Sequence, residues 1–125
     1  MTVYGVYINC SEAPFIDQIL ARVKHYETRK KNMLRDLVGR RVFLISTGTG
    51  APTIEGLATI SGAQLVPYSD ARKRAHAKIT GTPYDIQPGG AKWFYTLSDV
   101  QRLPHPLPVP AARKNHGRSW TTWEE

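Results

Sequence analysis

Ala21-Arg22-Val23-Lys24-His25-Tyr26-Glu27-Thr28-Arg29 is the stretch where one periodicity gives way to another. Before it, Phe15, Ile16, Ile19, Leu20 and Val23 recur at helical spacing. From Lys24 onward the period is two, so His25, Glu27 and Arg29 fall on one strand face and Lys24, Tyr26 and Thr28 on the other. A helix that ends by feeding two cations and an anion into a strand can bring them to a shared cleft. A solvated edge strand would carry the same residues.

Upstream, Val3 to Ile8 is rich in β-branched and aromatic residues and predicts a strand. Ser11 fits a helix N-cap, with Glu12 in the first turn and Pro14 tolerated early. The helix then runs to about Arg22, and its apolar face must pack on a sheet. Downstream, Lys30 to Asp36 is polar and irregular and reads as a loop or a short helical turn. Arg41 to Ile45 is a strand, and Ser46 to Pro52 is a loop by composition. Its glycines do not make a phosphate loop, because such a loop must open a helix. Here Thr53 to Ile60 follows, with strand chemistry and with Gly56 marking a bulge or a close backbone approach. Gln64 to Val66 extends the sheet.

Tyr68-Ser69-Asp70 caps a second helix from Ala71 to about Ile79, whose surface carries Arg72, Lys73, Arg74, His76 and Lys78. Its apolar stripe is small, which predicts a surface helix. Its basic face is either a phosphate-contacting surface or a merely solvated one. Gly81 to Gly90 is a long loop, and Tyr84 there is placed either to stack on a base or to pin the loop. Lys92 to Leu97 is the strongest strand pattern. Pro104, Pro106, Pro108 and Pro110 then exclude helix and interior sheet pairing, so that run is an extended edge or a wrapping segment. Trp120 and Trp123 are expected to close the sheet at the chain end.

The chain has 125 residues, room for one domain spanning 1–125. Its single cysteine, Cys10, rules out an internal disulfide framework and reads as a small buried residue. The start lacks a basic region followed by an apolar run, and no apolar stretch approaches the ~20 residues of a membrane span. The expectation is a soluble, cytoplasmic protein without membrane attachment. The net charge is +7, with Lys and Arg grouped between Lys24 and Arg41, at Arg72 to Lys78 and at Arg113 to Arg118. Such grouping favours a polyanionic partner, though solubility alone would also account for it. His25, His76, His105 and His116 have no partner at metal-site spacing, so neither a metal nor a cofactor is expected.

Lys24, Glu27 and Arg29 resemble the G-x-K-x-x-E-x-R signature of the ASCH family, within the PUA-like superfamily of small β-barrels. Arg22 stands where the signature has glycine. The resemblance covers most of the chain: a first strand before the helix, then strands like Gly39 to Ile45 and Thr53 to Ile60. It ends in a late strand, Ala91 to Val100, and a proline-rich run. It implies a mainly β (α+β) fold, a small PUA-like barrel with about two peripheral helices. It also implies that Lys24, Glu27 and Arg29 line a cleft between barrel and first helix.

Two function classes follow from the resemblance. One is a module binding RNA or a modified nucleoside or nucleotide, with single-stranded DNA a further candidate. Arg29 would grip a phosphate or base edge with its planar fork, and Glu27 would accept from a base amino group. His25, Arg72, Lys73 and Tyr84 complete the expected ligand-binding set. The other is a hydrolase, either an amidohydrolase acting on an N4-acylcytidine-type nucleoside or a ribonuclease, with Lys24 and Glu27 as the catalytic pair. A lysine buried beside other cations sheds its proton more easily and can act as a base. The family's deacetylase pattern sets a threonine three residues after the lysine. That position here is Glu27, and Thr28 lies one place off, on the opposite strand face. A purely structural Glu27–Arg29 pair is the competing explanation.

Overall fold

The computed structural model describes residues 1–67 and 90–125. The expected second helix from Ala71, with Arg72 and Lys73, and the loop carrying Tyr84 lie outside the described residues.

Among the described residues the chain forms one seven-stranded mixed sheet. The strands are β1 (Thr2–Asn9), β2 (Tyr26–Arg29), β3 (Arg41–Thr47), β4 (Thr53–Pro67), β5 (Ala91–Pro108), β6 (Lys114–His116) and β7 (Trp120–Glu124). Their order is β2-β5-β4-β3-β1-β7-β6. β1 and β3 pair in parallel, which forces a crossover, and the other neighbours are antiparallel. That crossover holds the helix α1 (Phe15–Leu20), β2 and a 3₁₀ turn (Arg35–Leu37). The turn resolves the loop-or-turn ambiguity of the sequence. The expectation of a mainly β fold with peripheral helical pieces holds.

Alternation builds the interior. Val6 and Ile8 of β1, Leu44 of β3 and Ala58 and Ile60 of β4 point to one core. Ile16 and Ile19 of α1 and Leu34 and Leu37 around the 3₁₀ turn plug it and are fully buried. Complete burial of each of these side chains contributes roughly 1.5–3 kcal/mol. A helix of six residues cannot hold itself in water, so α1 exists because its apolar stripe is packed. Its start corrects the expected N-cap. Pro14, not Ser11, precedes the first turn, and no side chain caps it. The Ser11 N–H instead turns back to Asn9 Oδ1 at 2.9 Å.

β5 is longer than its proline content suggests. Between Arg102 and Leu107 it bulges away from β4, whose partner residues advance only from Gly56 to Ile54. Pro104 and Pro106 fall in that bulge, where no ladder N–H is missed. Leu103 and Val109 from this run pack on Ile45, Ile54 and Trp123, covering the second face of the sheet as a wrapping segment. β7 joins the free side of β1, and the Trp120 ring stacks between Tyr4 and His116.

The sheet curls so that edge strand β2 returns beside β1. The two share no ladder; Arg29 Nη2 donates to the Tyr7 carbonyl at 2.8 Å and bridges the seam. This side-chain closure leaves room between β2, β1 and the start of α1.

Candidate functional site

The end of α1 shapes that space. The Arg22 N–H donates to the Ile19 carbonyl at 3.0 Å and the Val23 N–H to the Gln18 carbonyl at 2.9 Å. These two bonds form a Schellman motif, which needs a left-handed residue at the first position past the cap. That residue is Arg22, with φ of 61°. Glycine is the residue that adopts this conformation without penalty. This chain takes the left-handed conformation with arginine. The turn then directs Lys24, 4% exposed, into the space under α1. Lys24 Nζ lies 5.4 Å from the centre of the Phe15 ring, within cation–π range.

β2 supplies the anion. Pairing with β5 sets Glu27 opposite Tyr95 and Thr28 opposite Phe94. Glu27 is 7% exposed. Its Oε1 accepts from Arg29 Nη1 at 2.6 Å and from the Thr28 N–H at 3.1 Å. Among the described residues its Oε2 is buried and finds no hydrogen-bond partner. A buried carboxylate oxygen without a donor is costly, and native structures rarely keep one without a use. Arg29 is bound on both sides, to Glu27 and to the Tyr7 carbonyl, so its fork is already engaged.

Behind this pair stands Tyr95, fully buried, which donates to Asn32 Oδ1 at 2.7 Å and accepts from the Leu34 N–H at 3.3 Å. Burial raises its phenol above the ordinary value, against the Leu34 N–H and the Arg29 charge, which lower it. It stays protonated and acts as a rigid post beneath the site.

Lys24, Glu27, Thr28 and Arg29, with Glu12, Phe15 and Lys92, line a cleft of about 450 Å³ between barrel and helix, the size class of a small-molecule site. Lys24, Glu27 and Arg29 all line it, although strand alternation set Lys24 on the face opposite the other two. His25 does not join them. It is exposed, its carbonyl accepts from the Leu97 N–H, and its side chain lines a separate hollow of about 280 Å³. The reason is local: the strand period starts at Tyr26, so alternation cannot be extrapolated back to Lys24 and His25. Several cleft residues escaped the sequence reading, among them Glu12, Phe15 and Lys92. In the sequence Phe15 shows only the helix stripe and Glu12 only the first turn. Lys92 is distant in sequence and reaches the rim because β5 pairs with β2; its Nζ lies 3.4 Å from Thr28 Oγ1.

Among the described residues no three His, Cys, Asp or Glu side chains gather as a metal could use, and no helix is long and apolar enough to cross a membrane. The cleft offers three cations, two carboxylates (Glu12 and Glu27) and an aromatic ring. That set suits an anionic or heterocyclic ligand better than a metal ion.

No family model matches the chain, and no curated protein matches it. Solved structures do. A point mutant of ZmASCH from Zymomonas mobilis superposes with a TM-score of 0.62 at 16% identity, covering 97% of this chain and 91% of that one. The ASCH protein from Zymomonas mobilis gives 0.59 at 15% identity, over 97% and 88%. Likeness at such low identity is a likeness of backbone. The path of the backbone is thus that of a known architecture: this chain has the ASCH fold.

Proposed function

We propose that the protein binds RNA or a nucleotide-like ligand through the cleft between α1 and the barrel. The observation that carries this reading is the buried Oε2 of Glu27, without a hydrogen-bond partner among the described residues, in a cleft that Lys24, Arg29 and Lys92 make mainly cationic against the one further acid, Glu12. An acceptor held rigid by Arg29 is suited to a donor such as a base amino group. Phe15 gives an aromatic face beside it, and Lys24 and Lys92 give charge for a phosphate. The net charge of +7 adds long-range attraction for a polyanion.

A second reading, hydrolysis of a modified nucleoside or of RNA, draws on one contact. The Thr28 hydroxyl lies 3.4 Å from Lys92 Nζ at the rim of the cleft. A hydroxyl beside an amine is a recognised nucleophile–base arrangement, provided the amine is neutral when it takes the proton. The pairing register supports the expectation that Thr28 and Glu27 face opposite sides of β2, so Thr28 reaches the cleft only at its edge.

One experiment separates the two. The protein is mixed with single-stranded RNA, single-stranded DNA and a panel of acylated and unmodified nucleosides at two salt concentrations, and products are read by mass. Salt-dependent retention of RNA without product supports the binding module. A product that vanishes with Thr28→Val supports the hydrolase. Neither binding nor product rejects both.

A further inference from the structure

Two non-glycine residues among those described take a left-handed backbone, Arg22 with φ of 61° and Asp99 with φ of 48°. They belong to different elements, a helix end and a strand, and they line the same hollow. Each conformation is one that a residue with a Cβ adopts at a cost glycine does not bear. Backbone strain of this kind gathers where side chains are being aimed.

Asp99 sits in a β-bulge. The pairing of β4 with β5 passes from Thr59 opposite Ser98 to Leu57 opposite Gln101, so that Asp99 and Val100 together stand against the single Ala58. A bulge re-aims the side chain it carries. Arg41 holds it by donating from Nη1 to the Asp99 carbonyl and to Thr59 Oγ1. Across the hollow stand Arg22 and His25, both exposed, and neither forms an ion pair among the described residues. The carbonyls of Gln18 and Ile19 at the end of α1 are capped, so they add little negative charge. Lys24 lines this hollow and also the main cleft. The two spaces are therefore neighbours sharing a cationic wall.

We infer that the hollow is a second subsite, for the ribose-phosphate that adjoins the nucleoside held in the cleft. The ligand is then RNA of at least two nucleotides, not a free nucleoside. A phosphate leaving the cleft past Lys24 meets Arg22 and His25. The Asp99 carboxylate accepts from a ribose hydroxyl, and a 2′-hydroxyl is what marks RNA against DNA. This inference rests on the cleft reading and adds the substrate class to it.

The test titrates the four homodinucleoside monophosphates of RNA, their 2′-deoxy counterparts and the parent nucleosides against the whole chain at low salt, by calorimetry or NMR shifts. The best ribodinucleotide should bind about tenfold tighter than its nucleoside and several-fold tighter than its deoxy form. Arg22→Gly is the informative variant, because glycine relaxes the left-handed position and cannot unfold the protein for that reason. It should lower dinucleotide affinity about tenfold and leave nucleoside affinity unchanged. Equal affinity for nucleoside and dinucleotide, or for ribo and deoxy forms, overturns the second subsite and leaves the cleft reading standing. So does an Arg22→Gly variant with unaltered dinucleotide affinity. Absence of binding by every probe overturns both.

Discussion

Arg29 grips Glu27 through one carboxylate oxygen only, Nη1 to Oε1 at 2.6 Å, and spends its other terminal nitrogen on the Tyr7 carbonyl across the seam. One guanidinium thus fixes the site's anion and joins β2 to β1. Removing it leaves a carboxylate that is 7% exposed without its counter-charge. Breaking a buried pair from one side costs about 3–5 kcal/mol. Arg29→Ala is therefore expected to lower the urea midpoint sharply. The double variant Glu27→Met with Arg29→Met should recover much of that loss, since neither charge is then stranded. An Arg29→Ala protein as stable as the parent would show that the pair and the seam bond carry no load.

Arg22→Gly should stabilise the fold by about 1 kcal/mol, because only the left-handed backbone opposes arginine at this Schellman position. A thermal melt reads it as a rise of a few degrees for a chain of this size. A lower midpoint would mean that the Arg22 side chain contributes packing that outweighs its backbone cost.

Gly56 marks where α1 and β5 press closest on β4. A Cβ there would stand 2.6 Å from the Gln101 carbonyl oxygen and 2.7 Å from Leu20 Cδ2. Leucine can turn aside, but the backbone carbonyl cannot. Gly56→Ala is expected to cost about 1–3 kcal/mol, read by chemical denaturation. A neutral substitution would mean that β5 shifts freely at this point.

Tyr95 gives the fold a dependence on alkaline pH. Its phenol is held above the ordinary 10.0 in the folded chain, chiefly by burial. Below pH 10 it is protonated in both states, and its contribution is fully present. As pH rises from 10 toward the folded value, the unfolded chain releases its proton first, so stability falls. The denaturation midpoint should decline above pH 10, and Tyr95→Phe should decline less. At neutral pH the same variant should lose about 1–3 kcal/mol, because the buried Leu34 N–H loses its acceptor. Identical alkaline profiles for the two proteins would remove Tyr95 from the account.

Much of this arrangement is written locally. The alternation of Val6 and Ile8, or of Ile54, Gly56, Ala58 and Ile60, reports a half-buried strand wherever it occurs. The pairing of Glu27 with Arg29 was legible because residues two apart share a strand face, whereas Lys24 joined them only through the resemblance, alternation having set it on the other face. The helix cap was not legible, since Ser11 has the right chemistry but Asn9 takes its N–H. The place of His25 was not legible either. Lys24 and His25 precede the first paired residue of β2, and nothing in their side chains announces where pairing begins. Lys92 could not be placed in the cleft from sequence, because its position depends on β5 pairing with a strand far upstream. The clue available was its location at the head of the strongest strand pattern. The length of β5 was hidden by its prolines, which mark a bulge as readily as an end.

The most direct test of the charged cleft is an anisotropy titration of a labelled, mixed-sequence single-stranded RNA with the parent protein and with Lys24→Met. Methionine keeps an unbranched stem under α1 and removes the cation that lines both the cleft and the hollow. The account predicts salt-dependent binding by the parent and an affinity about tenfold lower in a variant that is still folded. Equal affinity in the two proteins would place RNA on surface charge elsewhere, and no binding by the parent would contradict the account outright.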